Sequence, residues 1–256
     1  KQHQFTAMAG INTLLQGLMR HPQFDDIDFS RLKGIVVGGA ALVKEVGDEW
    51  EARTGAKVFE GYGLSETTAV LSCNGPDKSR LGTVGLPMLY QDVKLIDAEG
   101  NSVATGERGE ICTRGAHVMQ GYWNRPDATA EAIDGDGWFR TGDIGLMAED
   151  GMLSIVDRLK DMVIVSGFNV YPNEIEDVVY GHGDIIECAV VGVADDRTGE
   201  AVKLFVVSTN PDLSEQQVKD FCREQLTAYK VPKHVAFMDE LPKSPVGKIL
   251  RRELRD

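Results

Sequence analysis

The chain has 256 residues, of which 42% are hydrophobic and 26% are charged, and its formal net charge is −13. This composition supports one or two domains with buried cores, and it argues against a disordered segment and a general nucleic-acid binder. No apolar run approaches the roughly 18 residues that a membrane-spanning helix needs. The four cysteines form no CxxC pair, which fits a reducing compartment rather than a disulfide framework or a zinc site.

The first part of the chain alternates helical and strand-like segments with glycine turns. Residues 6–20 predict a helix with one apolar face, and a polar helix is predicted over 43–54. Short apolar runs at 34–37 and 57–59 predict two strands, each followed by glycines. This order is typical of an α/β sheet, in which ligands bind at the carboxyl ends of the strands.

After about residue 80 the pattern changes to short strand-like runs separated by turns, which predicts a β-rich, antiparallel or barrel-like subdomain over 81–157. Pro126 opens the one helix predicted there, over 126–132. The predicted strands cover residues 91–97, 109–114, 138–147 and 152–156.

From about residue 158 strands and helices alternate again, which predicts a small α+β domain over 158–256 that follows a first part over 1–80. The absence of a low-complexity linker predicts a tight hinge within DRLKD (157–161). The predicted strands cover 162–166, 185–193, 201–207 and 234–238, and the predicted helices cover 172–180, 214–227 and the basic terminal segment.

The motif EGYGLSETT (60–68) gathers groups that suit a nucleotide. Its glycines allow a ligand to approach the backbone, and the ring of Tyr62 can stack on a flat base. Ser65 and Thr67 can donate to phosphate oxygens, and the carboxylate of Glu66 can hold Mg²⁺. A plain turn with a capped helix is the alternative.

Two further motifs carry single candidate residues. WFRTGD (138–143) presents Asp143 after a glycine turn, where it suits ribose hydroxyls or serves ordinary turn chemistry. PKSPVGKILRREL (242–254) is strongly basic, with five cations and one anion between residues 243 and 255. A solvated basic helix is the simple interpretation, but Lys248 precedes the predicted helix on a loop that could deliver it to a distant site.

These motifs, with DRLKDMVIVSGFNVYPNEIE (157–176) between them, resemble in their order the adenylate-forming superfamily of acyl-CoA synthetases, peptide-synthetase adenylation domains and luciferase. GGAAL (38–42), GEICTRG (109–115) and VMQGYWNRPDAT (118–129) match as well. Within the superfamily, LPKSPVGKILRRELRD (241–256) is among the stretches most similar to bacterial long-chain fatty-acid–CoA ligases. The resemblance implies the end of a large α/β nucleotide-binding domain, a β-barrel-like subdomain and a small mobile α+β C-terminal domain.

The resemblance also implies a two-step reaction that uses ATP, Mg²⁺ and CoA. A fatty carboxylate would attack the α-phosphorus of ATP to give acyl-AMP and pyrophosphate, and the CoA thiol would then displace AMP. Two alternatives stay open: a ligase for another carboxylic acid (short-chain, aryl or for a carrier protein), and a non-catalytic nucleotide- or CoA-binding fragment. Because the phosphate loop of the superfamily is absent, we expect a piece of a larger enzyme that has no turnover alone.

Roles follow, by resemblance, for residues that match the motifs. Lys248 would bridge the carboxylate and phosphate oxygens during adenylation, and Lys160 would be the hinge about which the small domain then rotates. Glu66 would ligate Mg²⁺, while Ser65 and Thr67 would lie by the α-phosphate and the acyl carbonyl. The nucleotide and CoA would be held by Gly38, Gly39, Ala40, Glu60, Gly61, Tyr62, Gly63, Asp143, Arg158, Gly167 and Phe168.

Within that set each part of the ligand has its own residues. Tyr62 would stack on adenine with the turn 38–40 on the other face, and Glu60 would lie near the adenine amino group. Asp143 and Arg158 would hold the ribose hydroxyls. The path of the pantetheine arm would be lined by Gly167 and Phe168.

The expected partners are small molecules, namely a fatty acid, ATP and CoA, with no nucleic acid. The basic end suits an anionic membrane surface or CoA phosphates, with a solvated face as the alternative. We expect a cytoplasmic protein, with a peripheral place on the inner face of the membrane and a homodimer left open.

Overall fold

The computed structural model describes residues 4–39, 42–244 and 247–255. The chain folds as two compact units, of which the first ends at Ile155 and the second begins at Val156. This division falls just before the predicted hinge segment 157–161. The predicted boundary near residue 80 lies inside the first unit, so the three-part division stays a prediction.

The first unit contains a five-stranded sheet in the order β1-β2-β3-β4-β5. Its first three strands are parallel and its last two are antiparallel to their neighbours. The helices between the parallel strands pack a core that includes Leu15, Ile35, Trp50 and Val58. The elements are β1 (Ala7–Gly10), α1 (Asn12–Met19), β2 (Gly34–Val37), α2 (Lys44–Thr54), β3 (Lys57–Tyr62), β4 (Ser72–Cys73) and β5 (Leu86–Pro87).

The prediction of one helix over 6–20 is wrong at its start. Ala7–Gly10 forms a strand, which pairs in register from Ala7 opposite Gly34 to Gly10 opposite Val37. Pairing with the buried strand β2 satisfies backbone groups that a helix would have bonded within itself, and so tertiary context overrides the local pattern. The helix α1 begins only after this strand.

The β-rich region forms a four-stranded sheet in the order β6-β7-β8-β9. Within the described part of the chain no pairing of β6 with β9 closes this sheet, so the barrel-like description is corrected to an open sheet. The predicted helix begins at Pro126 as expected. The elements are β6 (Gln91–Ile96), β7 (Arg108–Gly115), α3 (Pro126–Ala132), β8 (Phe139–Met147) and β9 (Leu153–Arg158).

The second unit has a sheet in the order β11-β10-β13-β12, with β14 parallel to β13. Its core includes Ile175, Val190, Leu204 and Val218. The three-residue strand β11 escaped sequence analysis, and the basic terminal helix is reduced to one 3-10 turn over Arg251–Leu254. The elements are β10 (Val163–Val165), β11 (Phe168–Val170), α4 (Pro172–Tyr180), β12 (Ile185–Asp195), β13 (Gly199–Ser208), α5 (Glu215–Gln225) and β14 (His234–Phe237).

Among residues 4–39, 42–244 and 247–255, no helix combines the length and apolar character that crossing a bilayer would require.

Candidate functional site

The carboxyl ends of β2 and β3 approach each other closely at two glycines. A Cβ placed on Gly38 would lie 3.0 Å from the carbonyl oxygen of Gly61, which is tighter than most real contacts. Gly39 follows with a φ of +80°, in the region that favours glycine. Ala40, the third predicted residue of this turn, lies outside the described residues. The glycines therefore let two strand ends converge where α/β sheets bind ligands.

Gly63 is fixed by an even closer approach. A Cβ there would lie 1.8 Å from the carbonyl oxygen of Ala69, so no side chain fits without moving the backbone. The chain then turns through a 3-10 turn over Ser65–Thr67. Ser65 is exposed on this turn, whereas Thr67 is fully buried and its hydroxyl bonds the backbone nitrogen and oxygen of Leu64 at 3.0 and 3.1 Å. A phosphate contact from Thr67 would have to replace these bonds.

Tyr62 and Asp143, predicted to bind two parts of one nucleotide, meet in the structure. The phenolic hydroxyl of Tyr62 donates to Oδ2 of Asp143 at 2.6 Å, across 81 residues of sequence. Tyr62 lies at the end of β3 and Asp143 on β8, where its side chain is buried. The structure thus brings the predicted adenine-stacking ring and the predicted ribose ligand together.

The turn that presents Asp143 is held by a buried carboxylate that sequence analysis missed. Glu110 on β7 accepts from Nε of Arg140 at 2.9 Å and from the backbone nitrogen of Gly142 at 3.1 Å. Gly142 has a φ of +72°, so it suits the bend before Asp143. The sequence showed GEICTRG and WFRTGD as motifs, but only the pairing of β7 with β8 joins them.

Glu60 is buried at the same edge of the sheet. Its Oε1 accepts from the backbone nitrogen of Gly82 at 2.7 Å, and a second bond comes from the backbone of Leu42. Burial raises the pKa of this carboxyl group, and the two backbone bonds oppose that rise. The observed contacts tie two loops to β3, and the predicted proximity to an adenine amino group stays a prediction.

Glu66, the predicted Mg²⁺ ligand, is half-buried and held by the segment that follows β7. Its Oε1 accepts from the hydroxyl of Tyr122 at 2.9 Å, and its backbone oxygen accepts from the nitrogen of Met119 at 2.8 Å. Burial, followed by the bond to Glu66, raises the pKa of Tyr122. Sequence analysis missed Tyr122 as a partner, although it lies in a stretch that matched the superfamily.

The donor set fits Mg²⁺ only in the manner of a phosphate-assisted site. No cluster of three or more His, Cys, Asp or Glu side chains suited to a metal exists among the described residues. Mg²⁺ is commonly held by one or two carboxylates together with substrate phosphates and water, and the single carboxylate of Glu66 suits that arrangement.

In the second unit, Lys160 lies exposed on a 3-10 turn over Leu159–Asp161. The preceding Asp157 is buried and accepts from the backbone nitrogens of Arg158 and Asn173 at 2.7 and 2.8 Å. Burial raises the pKa of Asp157, and these bonds oppose the rise. The half-buried side chain of Arg158 follows directly on this anchored residue.

Gly167 lies in the tight turn from β10 to β11, and Phe168 is the first residue of β11. Gly167 has a φ of +83° and open space where a Cβ would lie. Phe168 is 56% exposed, and its ring stacks on that of Tyr229 with centroids 4.8 Å apart. The two predicted pantetheine residues therefore lie on an accessible turn, next to an aromatic partner that sequence analysis did not name.

Lys248 lies on a short hairpin that the backbone closes. The nitrogen of Ser244 donates to the carbonyl oxygen of Lys248 at 2.8 Å, and Lys243 pairs with Ile249. Gly247 has a φ of +80°, while Pro245 and Val246 of this motif lie outside the described residues. Lys248 is exposed and is presented on a loop, as predicted.

The alternative of a solvated basic helix after Lys248 does not hold for two of its arginines. Arg251 bonds Glu176, and Arg255 bonds Asp161, and both acids are buried. Only Arg252 of the three arginines has a largely exposed side chain.

Comparison with protein families finds two matches on this chain. The family described as AMP-binding enzyme matches residues 1–123, and the AMP-binding enzyme C-terminal domain matches residues 174–248. Together the two matches span most of the chain.

Similar curated proteins align with this chain over all or nearly all of its length. Long-chain-fatty-acid–CoA ligase of Salmonella typhimurium is 53% identical over 100% of the chain and 46% of its own length. The protein of the same name from Bacillus subtilis is 44% identical over 99% of the chain and 46% of its length. Feruloyl-CoA synthase of an Amycolatopsis species is 38% identical over 100% and 52%. The chain thus spans about half the length of the curated relatives it matches.

Solved structures agree with this likeness. ATP-bound MatB from Rhodopseudomonas palustris superposes with a TM-score of 0.90 at 34% identity, covering 98% of this chain and 50% of that one. The o-succinylbenzoate CoA synthetase of Bacillus subtilis, solved with an acyl-adenylate intermediate, gives a TM-score of 0.87 at 30% identity, covering 100% and 52%.

Proposed function

We propose that this chain, which belongs to the family of AMP-binding enzymes, contributes to a long-chain fatty-acid–CoA ligase. The observation that carries the proposal is the bond between Tyr62 and Asp143, which joins an aromatic ring and a buried carboxylate at the ligand-binding edge of an α/β sheet. The names of relatives at 44% to 53% identity support the fatty acid as the substrate class.

The proposed reaction has two steps. The fatty carboxylate attacks the α-phosphorus of ATP, the bond to the leaving pyrophosphate breaks, and an acyl-AMP forms. The CoA thiol then attacks the acyl carbonyl, loses its proton and releases AMP. Tyr62 and Asp143 would orient the nucleoside in both steps, so that the phosphate is held in one place while its partner changes.

The charged residues would serve the first step. Glu66 would hold Mg²⁺, which neutralises phosphate charge when it is bound. Lys248 would place a point cation between two anions that must approach each other, and it would stabilise the charge that develops between them. If this lysine is needed in the first step and must leave before the second, a rotation about Lys160 would achieve both, because hinge motion can exchange the groups at a site.

The role of Lys248 is tested by pyrophosphate exchange into ATP in the full protein that contains this chain. The wild-type protein should exchange only when a fatty acid is present, and Lys248→Ala should abolish the exchange. Lys243→Ala, a matched control on the same hairpin whose ammonium pairs with Glu187, should retain it. Normal exchange in Lys248→Ala would remove this lysine from the mechanism.

The hinge is tested by separating the two steps. Lys160→Pro restricts the backbone at the proposed pivot and should slow thioester formation more than adenylation. Equal loss in both steps would count against a hinge at Lys160.

A ligase for an aryl acid is the second candidate, because Feruloyl-CoA synthase of Amycolatopsis is 38% identical over the whole chain. Profiling the full protein with long-chain, short-chain and aryl acids separates the two. The 256 residues alone are expected to bind AMP without forming acyl-CoA, which calorimetry and a thioester assay would check.

A further inference from the structure

A buried cluster of charged side chains in the second unit has no part in the reaction outlined above. Its centre is Arg251, in the terminal 3-10 turn. Nη2 of Arg251 donates to Oε1 and Oε2 of Glu176 at 2.9 and 2.7 Å, and to Oδ1 of Asn173 at 2.8 Å. Glu176 and Asn173 both belong to α4, so the guanidinium fastens the end of the chain to that helix.

A second link runs from the same turn to the proposed hinge. Arg255 donates to Oδ1 of the buried Asp161 at 2.7 Å and to the carbonyl oxygen of Lys160 at 3.2 Å. Arg251 also reaches Asp161, with Nη1 lying 3.8 Å from Oδ2. Both arginines therefore hold the turn that carries Lys160.

The hairpin of Lys248 is continuous with these anchors. Lys248 lies three residues before Arg251, and the nitrogen of Leu250 donates to the carbonyl oxygen of Pro242 at 2.8 Å. Leu241 and Leu254, on either side of the hairpin, are buried in one apolar cluster. The base of the hairpin is thus fixed by packing on both sides and by Arg251 within it.

We propose that Arg251 and Arg255 are positioning residues that lock the Lys248 hairpin to the Lys160 turn, so that the lysine of adenylation and the hinge move as one body. The proposal rests on the proposed function. Guanidinium groups suit this task because their planar donor sets fix direction as well as distance, whereas an ammonium is a point charge.

Burial of such a cluster is not explained by stability alone. Buried ion pairs often contribute little net stability relative to apolar side chains, and their best-attested use is to select one arrangement over others. Here the selected arrangement joins α4, the Lys160 turn and the terminal turn, which are three segments that an apolar contact would hold with less directional precision.

The first test measures amide hydrogen exchange in the full protein. Arg255→Met removes the hydrogen bond to the Lys160 carbonyl oxygen and keeps a long side chain. Because Arg255 is partly exposed, the fold should tolerate the change. Amides of residues 158–162 should exchange about tenfold faster in this variant. The neighbouring Arg252→Met is the control and should match the wild type, because its side chain is 81% exposed. Unchanged amide exchange in Arg255→Met would contradict the proposal that Arg255 holds the Lys160 turn in place.

The second test measures pyrophosphate exchange kinetics in the same variants and in Arg251→Lys. Arg255→Met and Arg251→Lys should misplace Lys248 and so lower kcat about tenfold, with little change in KM for ATP, since the nucleotide contacts are left intact. The control Arg252→Met should keep the wild-type kcat. A merely structural role would lower the amount of folded protein and leave kcat per folded molecule unchanged, and that outcome refutes the proposal. If the wild-type protein shows no exchange with any acid, the proposed function fails instead, and the amide measurement alone decides whether the segments are coupled.

Discussion

The hydroxyl of Tyr62 does two things at once at the residue scale. It satisfies a buried carboxylate, that of Asp143, and it fixes the plane of a ring at the end of β3. Burying an acid is costly unless it is hydrogen-bonded, so the bond from Tyr62 helps to stabilise Asp143 in this place and limits its direction.

Tyr62→Phe isolates this bond, because the ring and its packing stay. We expect the variant to lose about 1.5–3 kcal/mol of stability, the range for a hydrogen bond to a charged group. Binding of AMP should weaken severalfold and by less than in Asp143→Ala, since Tyr62→Phe keeps both the stacking ring and the carboxylate of Asp143. Thermal unfolding and calorimetry measure the two effects, with Tyr90→Phe as the control because Tyr90 is 96% exposed. A variant as stable as the wild type would contradict the assignment.

Gly63 offers a second test, of backbone fit instead of side-chain chemistry. Gly63→Ala would force a Cβ against the carbonyl oxygen of Ala69, and we expect a loss of at least about 3 kcal/mol, at the upper end for overpacking. Gly17→Ala is the matched control on an exposed position of α1 with open space around it. It should stabilise the chain by about 1 kcal/mol through helix propensity. Urea unfolding distinguishes the two, and similar effects in both would rule out the close approach.

Sequence analysis located some of these residues and not others, for a physical reason. Tyr62 and Asp143 each lie beside glycines in recognisable motifs, so both could be predicted for one site. Glu110, Tyr122 and Arg251 act through partners that are at least 30 residues away, and only the folded chain shows those contacts.

At the scale of elements, β7 and β8 together build the turn before Asp143. Glu110 on β7 is buried and holds both Arg140 and the backbone nitrogen of Gly142 on β8. The pairing of the two strands shifts register between Glu110 and Cys112, opposite this bend. The carboxylate therefore stabilises a local irregularity that aims Asp143 out of the regular sheet.

Glu110→Gln keeps the shape and removes the charge. We expect a loss of about 1.5–3 kcal/mol, the range for hydrogen bonds to charged groups, and weaker AMP binding because Asp143 is less well aimed. Asp92→Asn is the control: it breaks an exposed pair with Arg114 on the same sheet and should cost less than about 1 kcal/mol. Equal losses in chemical denaturation would show that the buried carboxylate has no special role.

Elements with strong local patterns could be predicted well. The helix over 172–180 has the predicted bounds, because Pro172 opens it and apolar residues recur at helical spacing. The strand over 7–10 could not be predicted, since its four residues gain their structure from pairing with β2. The same holds for β11, which is three residues long and pairs with β10 across a two-residue turn.

Among the residues that the structure describes, the cores of the two units have none in common. Leu15 belongs to the core around α1 and α2, whereas Leu204 belongs to the core between the second sheet and its helices. The three tryptophans, Trp50, Trp123 and Trp138, all precede the division after Ile155. Tryptophan fluorescence therefore reports on the first unit, while circular dichroism reports on both.

This distribution allows the units to be tested as separate folding bodies. Leu15→Ala and Leu204→Ala each remove a fully buried side chain and should cost about 2–5 kcal/mol in their own unit. Leu15→Ala should lower the midpoint of the fluorescence transition. Leu204→Ala should shift part of the dichroism transition and leave the fluorescence midpoint in place, because the described core residues around Leu204 belong to the second unit. A fluorescence midpoint that falls equally in both variants would instead mean that the two cores unfold as one cooperative unit, which would contradict this prediction.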